Sequence, residues 1–157
     1  MRKRIIEPSH QGVAHPNDEW LDLEALAEVE ITSEDPTHPI ESALLPGQSS
    51  GWRAANTGPQ TVRLLFAAPR PLRRILLQFE EPDTTRTQEY VLRWSADGGK
   101  SFSEIVRQQW NFSPDGATTE TADYRVDLDA VTMLELNIIP DISGRPVLAS
   151  LTKLRLA

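Results

Sequence analysis

Apolar residues fall on every second position through much of the chain. The period is clear at Val62, Leu64 and Phe66, at Ile75, Leu77 and Phe79, and at Tyr90, Leu92 and Trp94. It returns at Tyr124, Val126 and Leu128, at Leu134, Leu136 and Ile138, and at Leu154 and Leu156. A period of two puts one set of side chains on a buried face and the other in water, the signature of half-buried β-strands. The spacing predicts strands over 61–68, 72–80, 88–95, 101–110, 119–128, 131–139 and 147–156. Turn residues separate most of them: Pro69-Arg70-Pro71, Glu81-Pro82-Asp83, Asp97-Gly98-Gly99, Pro114-Asp115-Gly116 and Pro140-Asp141. Tyr90 to Phe112 reads as a hairpin, because Asp-Gly and Gly-Gly tolerate the positive φ that a tight turn between twisted strands requires. No helical crossover lies between these strands, so a parallel sheet is disfavoured. The pattern predicts an all-β, antiparallel sandwich or barrel.

The N-terminal third is less regular. Residues 1–16 contain Pro8, Gly12 and Pro16 and show no periodicity, which predicts an extended arm. Residues 17–27 fit a short helix, with Asn17 as N-cap, Asp18 and Glu19 in the first turn, and Trp20, Leu23, Leu26 and Ala27 on one face. The alternative is a strand running directly into Val29 and Ile31, which themselves predict a strand over 28–33. Residues 34–60 are rich in proline and glycine and predict a structured loop region, with one helical turn over 40–44. The expected organisation is an arm at 1–16 and a single domain over 17–157, a size that buries most of its unfolded surface.

Composition narrows the function classes. The 157 residues are 39% hydrophobic and 25% charged, as in ordinary globular proteins. No run of 18 apolar residues occurs, so no membrane span is expected. The basic start of the chain is not followed by an apolar segment, which argues against a secretory signal and predicts a cytoplasmic location. The absence of cysteine excludes disulfides and thiolate chemistry. The net charge of −7 opposes binding to a phosphate backbone, and no nucleic acid partner is expected. Nine acidic residues fall between Asn17 and Glu41 with no Lys or Arg among them, which predicts a solvated acidic surface.

The order of features resembles the discoidin or coagulation-factor C-type domain of the galactose-binding-like jelly rolls, from about Glu28 to Leu156. Val29 to Glu34 followed by Pro39 to Leu44 is similar to the family's first strand and the turn after it. Gly51-Trp52-Arg53-Ala54 resembles its tryptophan segment. Gly58 to Phe66 resembles its next strand, and Tyr90 to Phe102 resembles its "yxvxySxDGxxW" hairpin. Ala149 to Leu156 is similar to its closing strand. The resemblance implies a β-sandwich of about eight strands, with an aromatic plug at Trp52 and ligands bound by loops at one end. Many relatives hold a structural calcium near the first loop. Here that loop reads Leu44-Leu45-Pro46-Gly47-Gln48, without aspartate, and Lys153 takes the place of a liganding glutamate. A hard cation wants oxygen ligands, so no metal and no other cofactor is expected.

No catalytic constellation is present. There is no G-x-S-x-G elbow, P-loop or histidine pair at ligand spacing. Ser95 to Phe102 matches an Asp-box, but a single copy cannot build a propeller, and Asp97 is expected to bond its own turn amides. The candidates for ligand binding are His38, Arg53, Asn56, Trp110, Asn111 and Arg145. Trp110 beside Asn111 could stack on the apolar face of a sugar while the amide bonds hydroxyls, or else pack as a lid on the sandwich end. Arg53 and Arg145 offer fixed donor forks suited to hydroxyls or carboxylates. The expected function is a non-catalytic module for a carbohydrate or similar polar ligand. The alternative is an intracellular protein-interaction module with a protein partner and no small ligand.

Overall fold

The computed structural model describes residues 20–48 and 50–157. The arm over 1–16 and the cap expected at Asn17 lie outside the described residues. The helix is a single turn, α1 (Leu23–Leu26), and its cap is Asp22, whose carboxylate accepts from the Ala25 amide at 3.4 Å. Leu23 is buried, but one turn is all the sequence sustains before Ala27 turns extended and β1 (Ala27–Ile31) begins. The helix and strand readings of this segment are therefore each right for part of it. The helical turn expected over 40–44 forms as α2 (Glu41–Leu44).

Eight strands occur among the described residues, though not the eight the periodicity drew. After β1 come β2 (Trp52–Thr57), β3 (Gln60–Glu80), β4 (Arg86–Ser95), β5 (Ser103–Phe112), β6 (Thr119–Ile139), β7 (Leu148–Leu151) and β8 (Lys153–Leu156). All pairings are antiparallel. The stretches 61–68 and 72–80 are two halves of one strand. Pro69 and Pro71 bend it without reversing it, because a fixed φ and a missing N–H interrupt the ladder but do not by themselves make a turn. The β3–β6 register slips between Leu65 and Arg74 as a result. β6 bends opposite, joining 119–128 to 131–139. Conversely, 147–156 is split at Thr152, whose amide donates to the Gln78 carbonyl at 2.8 Å.

The two bent strands shape the sandwich. Gln60 to Leu65 lies between β1 and the second half of β6, in a layer completed by β4 and β5. The second half of β3 pairs with the first half of β6 and with β8, forming the opposite layer, and the β2–β7 ribbon closes that side. Phe79 and Tyr90 stack across the interior with ring centroids 5.0 Å apart. Val62, Leu64, Leu77, Leu92, Leu134, Leu136 and Leu154 are all buried around them. The alternating side chains of the sequence pattern thus meet in one core.

Three local features fix this frame. Trp52 is buried, and its indole N–H donates to the Ser33 carbonyl at 3.0 Å. Gly51 before it has φ +70, and a Cβ there would lie 2.8 Å from the Leu151 carbonyl oxygen, so only glycine fits. Arg155 is buried beneath α2 and donates to the carbonyls of Ala43 at 2.8 Å and Leu45 at 3.1 Å, two groups the short helix leaves open.

Candidate functional site

Loops gather at one end of the sandwich, and Arg53 is the residue around which they assemble. β2 alternates, so Trp52 and Ala54 point inward while Arg53 is exposed. The main chain of Arg53 also pairs with the loop after β1. Its amide donates to the His38 carbonyl at 3.1 Å, and its carbonyl accepts from the Asp35 amide at 2.8 Å. His38 is turned into that loop's own bonding, 3.0 Å from Thr37 Oγ1 and 3.6 Å from the Asp35 carboxylate. The Thr37 amide and hydroxyl, both donating to Asp35, hold its carboxyl below the usual range, with His38 adding to the effect.

A cleft of about 270 Å³ opens beside Arg53. One wall is the β3–β4 connection, with Glu80, Glu81, Asp83 and Thr84. The other is the approach to β7, with Pro146, Val147, Leu148 and Ser150. Leu148 and Ile142 are the exposed large hydrophobic residues of the described chain, and of the two Leu148 lines this second wall. Among the described residues, the side chains of Arg53, Glu80 and Asp83 have no hydrogen-bond or ion-pair partner, while Ser150 Oγ donates to the Glu80 carbonyl at 3.4 Å and the Asp83 amide donates to Glu81 at 3.3 Å.

The walls are held by buried arginine and aspartate. Arg86 is enclosed on all sides. It donates to Glu81 at 2.8 Å, to the Pro140 carbonyl at 2.7 Å and to Gln88 at 3.2 Å, and its guanidinium lies 4.8 Å over the Phe112 ring. Arg145 donates to Asp141 at 2.7 Å and also to the Thr85 carbonyl, tying the two walls together. The Ser143 amide and hydroxyl, together with Arg145, hold the Asp141 carboxyl below the usual range. The Ile142 amide adds a bond to the Thr87 carbonyl at 2.9 Å.

No family model matches the sequence, and no curated protein matches it either. Solved structures do match in shape. A family 32 carbohydrate-binding module from a family 31 glycoside hydrolase of Clostridium perfringens aligns with a TM-score of 0.65 at 16% identity, over 89% of this chain and 95% of that one. The module of AlyQ in complex with 4,5-unsaturated mannuronic acid aligns at 0.62 and 14% identity, over 84% and 95%. A Clostridium perfringens module in complex with GalNAc-β-1,3-galactose aligns at 0.61 and 17% identity, over 83% and 94%. The fold is the galactose-binding-like jelly roll.

Within this galactose-binding-like frame the six residues singled out from sequence are dispersed. Arg53 lines the cleft, and Arg145 braces its walls from behind. Asn56 is exposed on β2, and its carbonyl accepts from Gln60 at 3.2 Å. Asn111 is exposed on β5, with its amide oxygen accepting from Thr87 at 2.6 Å. Trp110 is directly opposite the buried Gln88 and packs inward against the core, its indole nitrogen buried without a partner among the described residues. Glu80, Asp83 and Arg86 escaped the sequence reading. A solvated acid and a cleft acid look alike along a chain, and Arg86 sits where strand alternation would place a small or apolar residue. That misplaced charge on an inward position was the available signal. Among the described residues no three His, Asp or Glu side chains converge as a metal site would require.

The hairpin turn has a structural role. Asp97 accepts from the Ser101 amide at 2.9 Å, from Ser95 Oγ at 2.6 Å and from Ser101 Oγ at 2.5 Å, and these bonds drive its carboxyl far below the usual range. Gly98 and Gly99 take the positive φ the turn needs.

Proposed function

We propose that this protein is a non-catalytic carbohydrate-binding module whose ligand sits in the cleft beside Arg53. The observation that carries the reading is the cleft's two-sided chemistry. One wall offers the free carboxylates of Glu80 and Asp83, the other offers Pro146, Val147 and the exposed Leu148, and the Arg53 guanidinium is carried beside β7. A pyranose has the same division, with hydroxyls around its edge and C–H groups on its faces. The volume of about 270 Å³ is just under the range of drug-sized sites, roughly 300–1,000 Å³, and suits about one sugar ring. Arg53 would donate to hydroxyl oxygens while Glu80 and Asp83 accept from hydroxyl hydrogens. The solved modules of the same fold that hold saccharides support this reading.

A glycan array followed by thermal unfolding of the wild type and of Arg53→Ala tests it. A ligand at about 100 times its Kd stabilises the folded state by roughly 2.7 kcal/mol, a shift of about 5 °C or more in a chain this size. The expected result is a saccharide that raises the wild-type midpoint by that amount and leaves Arg53→Ala unmoved. A full panel without any shift overturns the proposal.

A further inference from the structure

The charges of the cleft narrow the class of saccharide, an inference that rests on the reading just given. Of its four charged side chains, Glu81 is already engaged by the buried Arg86 at 2.8 Å. That leaves Arg53, Glu80 and Asp83 with no partner among the described residues, one positive group against two negative, or −1 for the free set. The whole chain, at −7, adds a field of the same sign. Carboxylates left open to a ligand favour donors. Hydroxyls suit them, and an ammonium suits them better. A sugar carboxylate would have to enter beside two like charges with only Arg53 to offset them. The frame gives little room to rearrange, because Arg145 and Arg86 hold both ends of the acidic wall. The aliphatic wall of Val147 and Leu148 carries no charge that would change this balance.

We propose that the cleft selects neutral or amine-bearing saccharides and rejects uronic acids. Isothermal titration of the full chain with galactose, galactosamine and galacturonic acid tests the claim, together with the gluco and manno series. Within each series only the charge-bearing group changes. At about pH 6 the amine is protonated and the uronic acid ionised. In the series that binds, the amino sugar is expected to bind roughly three- to tenfold more tightly than the neutral parent at low salt, as one or two half-exposed charge pairs give. Raising the salt to about 0.3 M should shrink that preference. The uronic acid should bind at least several-fold more weakly than the parent. The double variant Glu80→Gln, Asp83→Asn should lose the preference for the amine, with circular dichroism confirming that it folds. A uronic acid that binds as tightly as its neutral parent overturns this inference and leaves the carbohydrate reading standing. No binding in any series overturns both.

Discussion

Glu120 is a carboxyl group in the interior of a sandwich. It lies on β6 opposite Phe79, is 4% exposed, and its Oε1 has no hydrogen-bond partner among the described residues. Burial pushes its pKa up to about 7, and the nearby Gln88 amide offsets only part of that. The other titratable groups facing it are Tyr90 and Tyr124, whose hydroxyls share a 2.5 Å hydrogen bond. Burial and this bond push the Tyr90 hydroxyl well above its ordinary range, so that phenol stays neutral when Glu120 titrates. An acid whose folded pKa is raised holds its proton more tightly than the unfolded chain does. The contribution of Glu120 to stability is therefore full below about pH 4.5, is lost as the pH rises to about 7, and then levels off. The ceiling on that loss is about 3 kcal/mol. Urea unfolding at pH 5 and pH 8 should show it, and Glu120→Gln should remove the slope and be the more stable protein at pH 8. Asp97 acts in the opposite sense at lower pH. Its depressed pKa adds stability above the ordinary aspartate range that is lost as acid protonates it. If the wild type and Glu120→Gln follow the same curve between pH 5 and 8, Glu120 is not titrating in the interior.

Single elements show where the sequence spoke clearly and where it did not. The hairpin of β4 and β5 was legible to within two residues at its ends, because Asp97, Gly98 and Gly99 supply the turn chemistry and Tyr90, Leu92 and Trp94 supply the alternation. β2 was not legible. In Trp52 to Thr57 only Trp52 and Ala54 are inward, and the pairing with β7 is short and irregular, so neither propensity nor period marks a strand. The breaks in β3 and β6 were misplaced for a different reason. Pro69 and Pro71 are read locally as an end, and the gap in alternation at 129–130 as another, while the partner strand decides whether the chain bends or reverses. α2 depends on a residue over a hundred positions away. Arg155→Ala would leave the Ala43 and Leu45 carbonyls without their donor in a buried setting, at a cost of about 2–3 kcal/mol. A drop in the urea midpoint with an unchanged m-value would show it, and a loss under 0.5 kcal/mol would mean that water replaces the guanidinium.

At the scale of the molecule, the loop end is a product of long-range ties. The sequence placed Arg53 and Arg145 among the candidates by residue type alone. It could not show that one faces the cleft while the other braces it, because Arg145 reaches Thr85 across sixty positions. Removing that brace should separate binding from folding. In Arg145→Ala, Asp141 keeps its bonds from Ser143, so the thermal midpoint should fall by no more than a few degrees. Saccharide affinity should fall about tenfold as the two walls lose their tie. Equal affinity in this variant would show that the walls hold without it.

β3 and β6 each run through both layers of the sandwich, like beams shared by two floors. Neither layer has its full set of strands without them. One floor cannot be stripped away while the other stands, since the same hydrogen-bonded pair would have to be broken at its middle and survive at one end. The two layers are therefore expected to come apart together, which coincident fluorescence and circular-dichroism unfolding curves would show. The cleft stands partly outside that frame, because Arg53 and Leu148 belong to the β2–β7 ribbon, a sheet of its own laid against the shared beams.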